Sequence, residues 1–258
     1  MLKTWLTHPL TRGLHVDDPS TTLLRRHIIQ EKSFLRQIYQ EWYLGIAEAL
    51  PAGKEPVLEI GAGAGFFSDF IPGLITSDLF YYPGITAVMD GQHLPFANDT
   101  LCGVVMTDVL HHLPCPRRFL IEAARCVRPG GAIVMVEPWV TPWSSAVYGR
   151  LHPEPFQPQA VEWEFPPSGP LSGSNGALPW MMFKRDRARF EKEFTEWHIE
   201  HIRPLMPFRY LLSGGLSSRS LMPGRAFRFW RALEHALQPW MDSLAMFAQI
   251  VLRRTDGG

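Results

Sequence analysis

The sequence has three cysteines, no surplus of charge of either sign, and no apolar run of eighteen residues. Cys102, Cys115 and Cys126 are odd in number and are not spaced as zinc ligands, so reduced thiols in a reducing compartment are the expectation. Lysine plus arginine and aspartate plus glutamate both total 25. That balance argues against a general footprint for nucleic acid, which usually needs a basic face. Arg203, Arg209, Arg219, Arg225, Arg228 and Arg231 crowd the last sixty residues; they read as a solvated surface, with a local basic patch as the alternative. Without a long apolar run no membrane-spanning helix is expected. Met1-Leu2-Lys3-Thr4-Trp5 lacks the apolar core of a signal peptide, so a cytoplasmic protein is expected. No internal repeat is evident. A chain of 258 residues can bury a full core in one domain, with or without a cap.

The most informative stretch is Val57-Leu58-Glu59-Ile60-Gly61-Ala62-Gly63-Ala64-Gly65. Strand-type residues run into glycines at alternate positions, and Phe66 to Ile71 follow at helical spacing before Pro72-Gly73. The pattern predicts a buried strand, a tight turn and a helix start. Glycine suits such a turn because a side chain would keep a ligand off the backbone. The spacing is G-x-G-x-G, and Phe66 stands where a dinucleotide fingerprint would place its last glycine. A purely structural turn is the alternative.

Strand patterns then recur: Leu74–Asp78, Ile85–Asp90, Leu101–Thr107 and Ala132–Glu137, with an amphipathic helix from Pro114 to Val127. Acids stand at three strand ends, Asp78, Asp90 and Glu137. An acid at the end of the second strand can accept hydrogen bonds from both hydroxyls of a ribose. The near-continuous apolarity of 101–107 fits a parallel sheet covered on both faces.

Residues 57–137 resemble the cofactor-binding core of class I S-adenosylmethionine-dependent methyltransferases. The matching pieces are Glu59-Ile60-Gly61-Ala62-Gly63-Ala64-Gly65, Asp78, Asp90-Gly91-Gln92-His93-Leu94-Pro95-Phe96, Val109-Leu110-His111-His112-Leu113 and Arg128-Pro129-Gly130-Gly131. The likeness is to the type 11, small-molecule subgroup, which includes quinone-methylating enzymes. It implies an α/β fold with a doubly wound, seven-stranded, mostly parallel Rossmann-like sheet. It also implies S-adenosyl-L-methionine as cofactor. Gly61, Gly63 and the backbone near Ala62 would then face its methionine portion, Asp78 its ribose, Asp90, Gly91 and Gln92 its adenine, and Thr107 with Asp108 the reacting methyl, while Glu59 would order the loop through water or backbone amides. Each aspartate could instead cap a turn. One departure stands out: the short segment between Asp78 and Asp90 leaves no room for the helix usual in the family.

Outside this core, residues 20–50 read as one long amphipathic helix, packed on the sheet or folded over the cofactor mouth. Residues 138–179 are rich in proline, glycine and serine and read as an irregular lid. A helix is expected at 180–192, strands at Glu196–Arg203 and Ala245–Arg254, and a helix at Gly224–Leu237. The domain reading is an N-terminal helical segment, 1–50, and a catalytic domain, 51–258. That domain divides into a core at 55–137, a lid at 138–192 and a C-terminal part at 193–258.

Methyl transfer from a sulfonium is an in-line displacement on an activated electrophile, so alignment is the main demand. A hydroxyl acceptor must also lose its proton. His111 and His112 after the fourth strand, and His152 in the lid, are the candidate bases, with packing as the alternative for the first two. Glu137, Trp139, Tyr148 and Glu154 are candidate acceptor contacts. Trp139, Trp143, Trp163, Trp180 and Phe183 suggest an apolar or planar acceptor pocket, or ordinary core. The expected activity is methylation of a small or lipid-like acceptor at oxygen, with no metal and no nucleic acid. The rival readings are an RNA or protein methyltransferase, a nicotinamide-dependent oxidoreductase and a non-catalytic cofactor-binding subunit. Thr107-Asp108-Val109-Leu110 stands where amino-group nucleic-acid methylators carry Asn-Pro-Pro-Tyr. Tyr148 is followed at the fourth position by His152, so the oxidoreductase Tyr-x-x-x-Lys pair is missing there.

Overall fold

The computed structural model describes residues 20–151, 154–166, 169 and 173–255. Its centre is a seven-stranded sheet in the order β3-β2-β1-β4-β5-β7-β6. The strands are β1 (Val57–Ile60), β2 (Ile75–Asp78), β3 (Ala87–Val88), β4 (Leu101–Thr107), β5 (Val127–Pro138), β6 (Trp197–Leu205) and β7 (Phe247–Arg254). The first five strands pair in parallel, and β7 runs antiparallel between β5 and β6. Strand order reverses between β1 and β4, so both open their carboxyl ends at the same crevice, the place where open α/β sheets bind ligands.

Alternation along β4 and β5 sorts side chains to two faces. Val104, Met106, Ile133 and Met135 face helix α3 (Pro116–Cys126) and the turns of 178–193, forming one apolar layer. Val105, Val134 and Val136 face α2 (Ser33–Ala49), forming the other. Trp163 is enclosed in the first layer between the guanidinium groups of Arg117 and Arg189, at 4.6 and 4.7 Å from its ring centre, and its indole N–H donates to Asp186. Phe183 is also wholly buried there, so these two aromatics are core and not pocket wall.

Several elements differ from the sequence reading. The leading helix is two, α1 (Ser20–Glu31) and α2, broken at Lys32. Lys32 turns out of helical geometry and donates to the carbonyls of Gly215 and Ser218, tying the helix pair to a turn far along the chain. No α-helix follows the glycine turn. Phe67–Asp69 makes a single 3-10 turn, and Phe66, Phe67 and Phe70 instead pack on Tyr43 of α2. The third strand shrinks to two residues. The fifth grows to twelve, because a register shift opposite Leu101–Gly103 absorbs Arg128–Gly131. The lid region holds a helix, α4 (Pro142–Leu151), as well as irregular chain. The expected helix near 180–192 is a kinked run: a turn at Leu178–Trp180, a π turn at Met181–Arg185, then Arg187–Glu193. Arg209 is not solvated: it is buried, donating to Glu234 and, with both terminal nitrogens, to Glu41. The other five arginines of that crowd are exposed. Among the described residues no helix is long and apolar enough to cross a membrane.

Candidate functional site

The site is built on the bend after β1. Gly61 and Gly63 take positive φ, +66° and +48°, where side chains are strained. A Cβ on Gly61 would lie 2.6 Å from Val109, so the bend presses on the turn after β4. The amide of Gly63 donates to Asp78 Oδ2 at 2.9 Å, and that of Leu79 to Asp78 Oδ1 at 2.7 Å. The bare bend and the carboxylate at the end of β2 therefore meet. Burial raises the Asp78 carboxyl, while the amides of Gly63, Phe80 and Leu79 pull it back. Below lies Glu59, which burial, and then the Asp78 charge, push up to about 8 against the pull of Arg26.

The N-terminal helices brace this corner. Arg26 of α1 donates to the Gly65 carbonyl and lies over the Tyr82 ring. A Cβ on Gly65 would fall 2.5 Å from the Tyr43 hydroxyl, so α2 sits directly on the turn. Asp90 lies in the next turn, its Oδ1 accepting the backbone and side-chain amides of Gln92. Gly91 is packed on Ile60: a Cβ there would lie only 3.2 Å from its side chain.

Two hydroxyls at this crevice are buried without a hydrogen-bond partner, Thr107 Oγ1 at the end of β4 and Tyr82 Oη, whose field is set by Asp78 and Glu59. Buried polar groups normally find partners. A bare bend, an acid at the end of β2 and unpartnered donors on either side fit a cationic nucleoside with ribose hydroxyls. Glu59, Gly61, Ala62, Gly63, Asp78, Asp90, Gly91, Gln92 and Thr107 all lie on this rim or directly beneath it.

A second cluster lies beyond β4. Asp108 takes a left-handed conformation, φ +63°, which is uncommon outside glycine. Its amide donates to the Val136 carbonyl. Removal from water pushes its carboxyl up to about 7; the His111 charge opposes this and the carboxylates of Glu137 and Glu154 add to it. Glu137 at the end of β5 is fully buried and saturated. It accepts from the amides of Val109 and Leu110 at 2.8 and 2.7 Å and bonds His111 Nδ1 at 2.7 Å. Burial lowers the His111 pKa, but hydrogen bonds to Glu137 and Glu154 outweigh it and hold the ring protonated well above its ordinary value. Burial and the neighbouring His111 charge drive His112 down to about 3. One oxygen of Glu154 lies 3.6 Å from His111 Nε2 and 3.9 Å from His112 Nε2.

Asp108, His111, Pro138, Tyr148, Glu154, Phe156, Gly176, Tyr210 and Phe247 enclose a cavity of about 20 Å³, room for about one water. Its roof belongs to the insertion. Asn175 ties the two arms of that roof, accepting from the Gln157 amide through Oδ1 and donating its own amide to the His111 carbonyl. Tyr148 donates to the Met246 carbonyl and packs on Phe156. Trp139 lies in the apolar layer beside β5, apart from these lining residues. His152 falls outside the described residues. Sequence reasoning put little weight on Asp108, Tyr210 and Phe156. Only Asp108 carried a signal, its place directly after a buried strand.

Residues 58–135 match the family model described as "Methyltransferase domain". Relatives in three Mycobacterium strains, KMS, JLS and MCS, each called an uncharacterized methyltransferase, are 28% identical over 121 residues. Those matches take in 41% of this chain and 47% of each relative, so the chain spans about half the length of the curated relatives it matches. Among solved structures, the methyltransferase complexed with the Trm112 activator of Haloferax volcanii aligns with a TM-score of 0.53 at 12% identity, over 94% of this chain and 97% of that one. The geranyl diphosphate C-methyltransferase of Streptomyces coelicolor A3(2), solved with Mg²⁺, geranyl diphosphate and S-adenosyl-L-homocysteine, aligns with a TM-score of 0.50 at 12% identity, over 97% and 91%. These likenesses establish a shared fold.

Proposed function

We propose that this chain, whose residues 58–135 form a class I S-adenosylmethionine-dependent methyltransferase domain, methylates a small or lipid-like acceptor at oxygen in the cytoplasm. The observation that carries the reading is the junction of the Gly61–Gly63 bend with Asp78 at the carboxyl ends of β1 and β2. Bound S-adenosylmethionine supplies an activated methyl group. Gly61, Ala62 and Gly63 leave its methionine portion room against bare backbone. Asp78 accepts from the ribose hydroxyls in exchange for the Gly63 amide. Asp90, Gly91 and Gln92 frame the adenine, and the Thr107 hydroxyl gains a partner.

The acceptor occupies the cavity beyond Asp108. Asp108 is the best-placed proton acceptor there, because its carboxyl titrates near neutrality, the range that suits a general base. His111 is a poorer base, since it already holds its proton between two carboxylates. His111 orients the acceptor, with Tyr148, Phe156 and Phe247 as apolar wall, and His112 stands behind it, outside the cavity lining. Glu137 holds His111 and the turn in place; it contacts the machinery rather than the acceptor. At about 20 Å³ the cavity admits no acceptor until the insertion shifts, so residues 138–192 act as a lid. A lipid-like acceptor is supported by the apolar wall and by the isoprenoid diphosphate bound in the Streptomyces enzyme.

The test is turnover of S-adenosylmethionine to S-adenosylhomocysteine with a panel of phenolic and isoprenoid acceptors. Asp108→Asn is expected to lower turnover by about 10²–10⁴-fold while cofactor affinity changes less than about tenfold. Full turnover in that variant would remove Asp108 from the chemistry.

A further inference from the structure

We propose that His111, His112 and Glu154 bind one divalent transition-metal ion, zinc, iron(II) or manganese(II), with Glu137 fixing the first imidazole. One donor atom of each of the three side chains lies within 4.8 Å of the others. Adjacent residues usually diverge, yet the 3-10 turn Leu110–His112 brings both Nε2 atoms to the same carboxylate oxygen, at 3.6 and 3.9 Å. A tetrahedral ion with bonds of about 2.0–2.1 Å needs its ligands about 3.3 Å apart. The triad is therefore preassembled and slightly open, and small side-chain rotations would close it.

The surroundings match those of a ligating histidine. Such a ring usually presents one nitrogen to the ion and the other to a carboxylate. His111 shows this division: Nδ1 bonds Glu137 at 2.7 Å, and Nε2 points to the triad, where a bound ion would displace the Nε2 proton to solvent. Glu137 is itself fixed by two backbone amides, so the ring cannot drift. Two imidazoles and one carboxylate select a transition metal, whereas magnesium and calcium prefer oxygen ligands. The ion would therefore differ in kind from the magnesium of the Streptomyces enzyme.

His111 and Glu154 also line the cavity, so a remaining coordination position would face the acceptor's place. Glu154 comes from the insertion and the histidines from the turn after β4, so the ion would pin the lid shut. What the ion does rests on the reading of that cavity as the acceptor site; whether it binds does not.

The experiment is a cobalt(II) titration of the full chain after chelator treatment, read by visible absorption, with S-adenosylhomocysteine titrated in parallel. The expected result is one equivalent of cobalt bound. His112→Ala and Glu154→Gln should each weaken binding by about 100-fold or more, and Glu137→Gln by about 10–100-fold. Glu154 is partly exposed on the insertion, so Glu154→Gln decides the matter if His112→Ala also loses S-adenosylhomocysteine. Less than one-tenth equivalent bound by the unaltered chain, or equal affinity in Glu154→Gln, overturns the proposal. Cobalt bound without S-adenosylhomocysteine supports the metal site and refutes the methyltransferase reading; the converse refutes the metal site alone.

Discussion

Asp78 and Glu59 illustrate how much a single position contributes here. A charge-assisted hydrogen bond is worth about 1.5–3 kcal/mol, so Asp78→Ala should weaken S-adenosylhomocysteine binding by about tenfold to 100-fold in calorimetry. Unchanged affinity would refute the ribose role. Glu59 makes a separate prediction about stability. Its carboxyl is pushed up to about 8 in the folded chain, so between the ordinary glutamate range and pH 8 the folded state holds a proton that the unfolded state has lost. Stability should therefore decline as pH rises from about 5 to 8, and it is fully present below that window. Melting temperatures of Glu59→Gln across the same range should show a flatter profile; an identical slope would show that other groups set it. The place of Asp78 at the end of β2 was readable because an acid after a run of strand-type residues is visible in sequence. The standing of Asp108 was not, since it depends on a left-handed backbone and on charges brought together from β5 and the insertion.

Among the elements, the glycine turn and α2 depend on each other. Gly65→Ala would set a methyl against the Tyr43 hydroxyl at 2.5 Å and the Ala62 carbonyl at 2.9 Å. Overpacking of this kind costs about 1–3 kcal/mol, so the melting temperature should drop, and Tyr43→Phe should recover part of the loss. No drop would mean the turn has room that the structure denies it. The aromatic residues after the turn look helical by spacing, but they fold onto Tyr43 because α2 already covers that face of the sheet. Periodicity cannot report a competitor from an earlier helix that reaches the same face first. The break at Lys32 is similar: its ammonium group is drawn to carbonyls near Gly215, a tertiary cause with no local mark. The lid makes its own prediction. Asn175→Ala removes the side-chain tie to Gln157 and leaves the two arms joined there by the Gly176–Pro155 backbone bond, so KM for the acceptor should rise several-fold while cofactor affinity holds. An unchanged KM would show that this tie does not shape the acceptor site.

Across the whole molecule, the run of strand patterns from 57 to 137, with the glycine bend after the first of them, made the parallel sheet and its crevice readable, although the only α-helix between those strands is α3. The C-terminal strands were also readable, since β7 is apolar on both faces and lies between β5 and β6. The insertion was not, because the burial of Trp163 between two guanidinium groups depends on Arg117 from α3 and on Arg189 from the far end of the insertion itself. If the crevice binds its cofactor only when folded, ligand at 100 times its Kd adds about 2.7 kcal/mol of stability. The most direct test of the central claim is a calorimetric titration of S-adenosylhomocysteine into the purified chain and its Asp78→Ala variant. The account predicts one site per chain, with binding weakened in the variant. Absence of binding in the unaltered chain, or tighter binding of NAD than of S-adenosylhomocysteine, would contradict it.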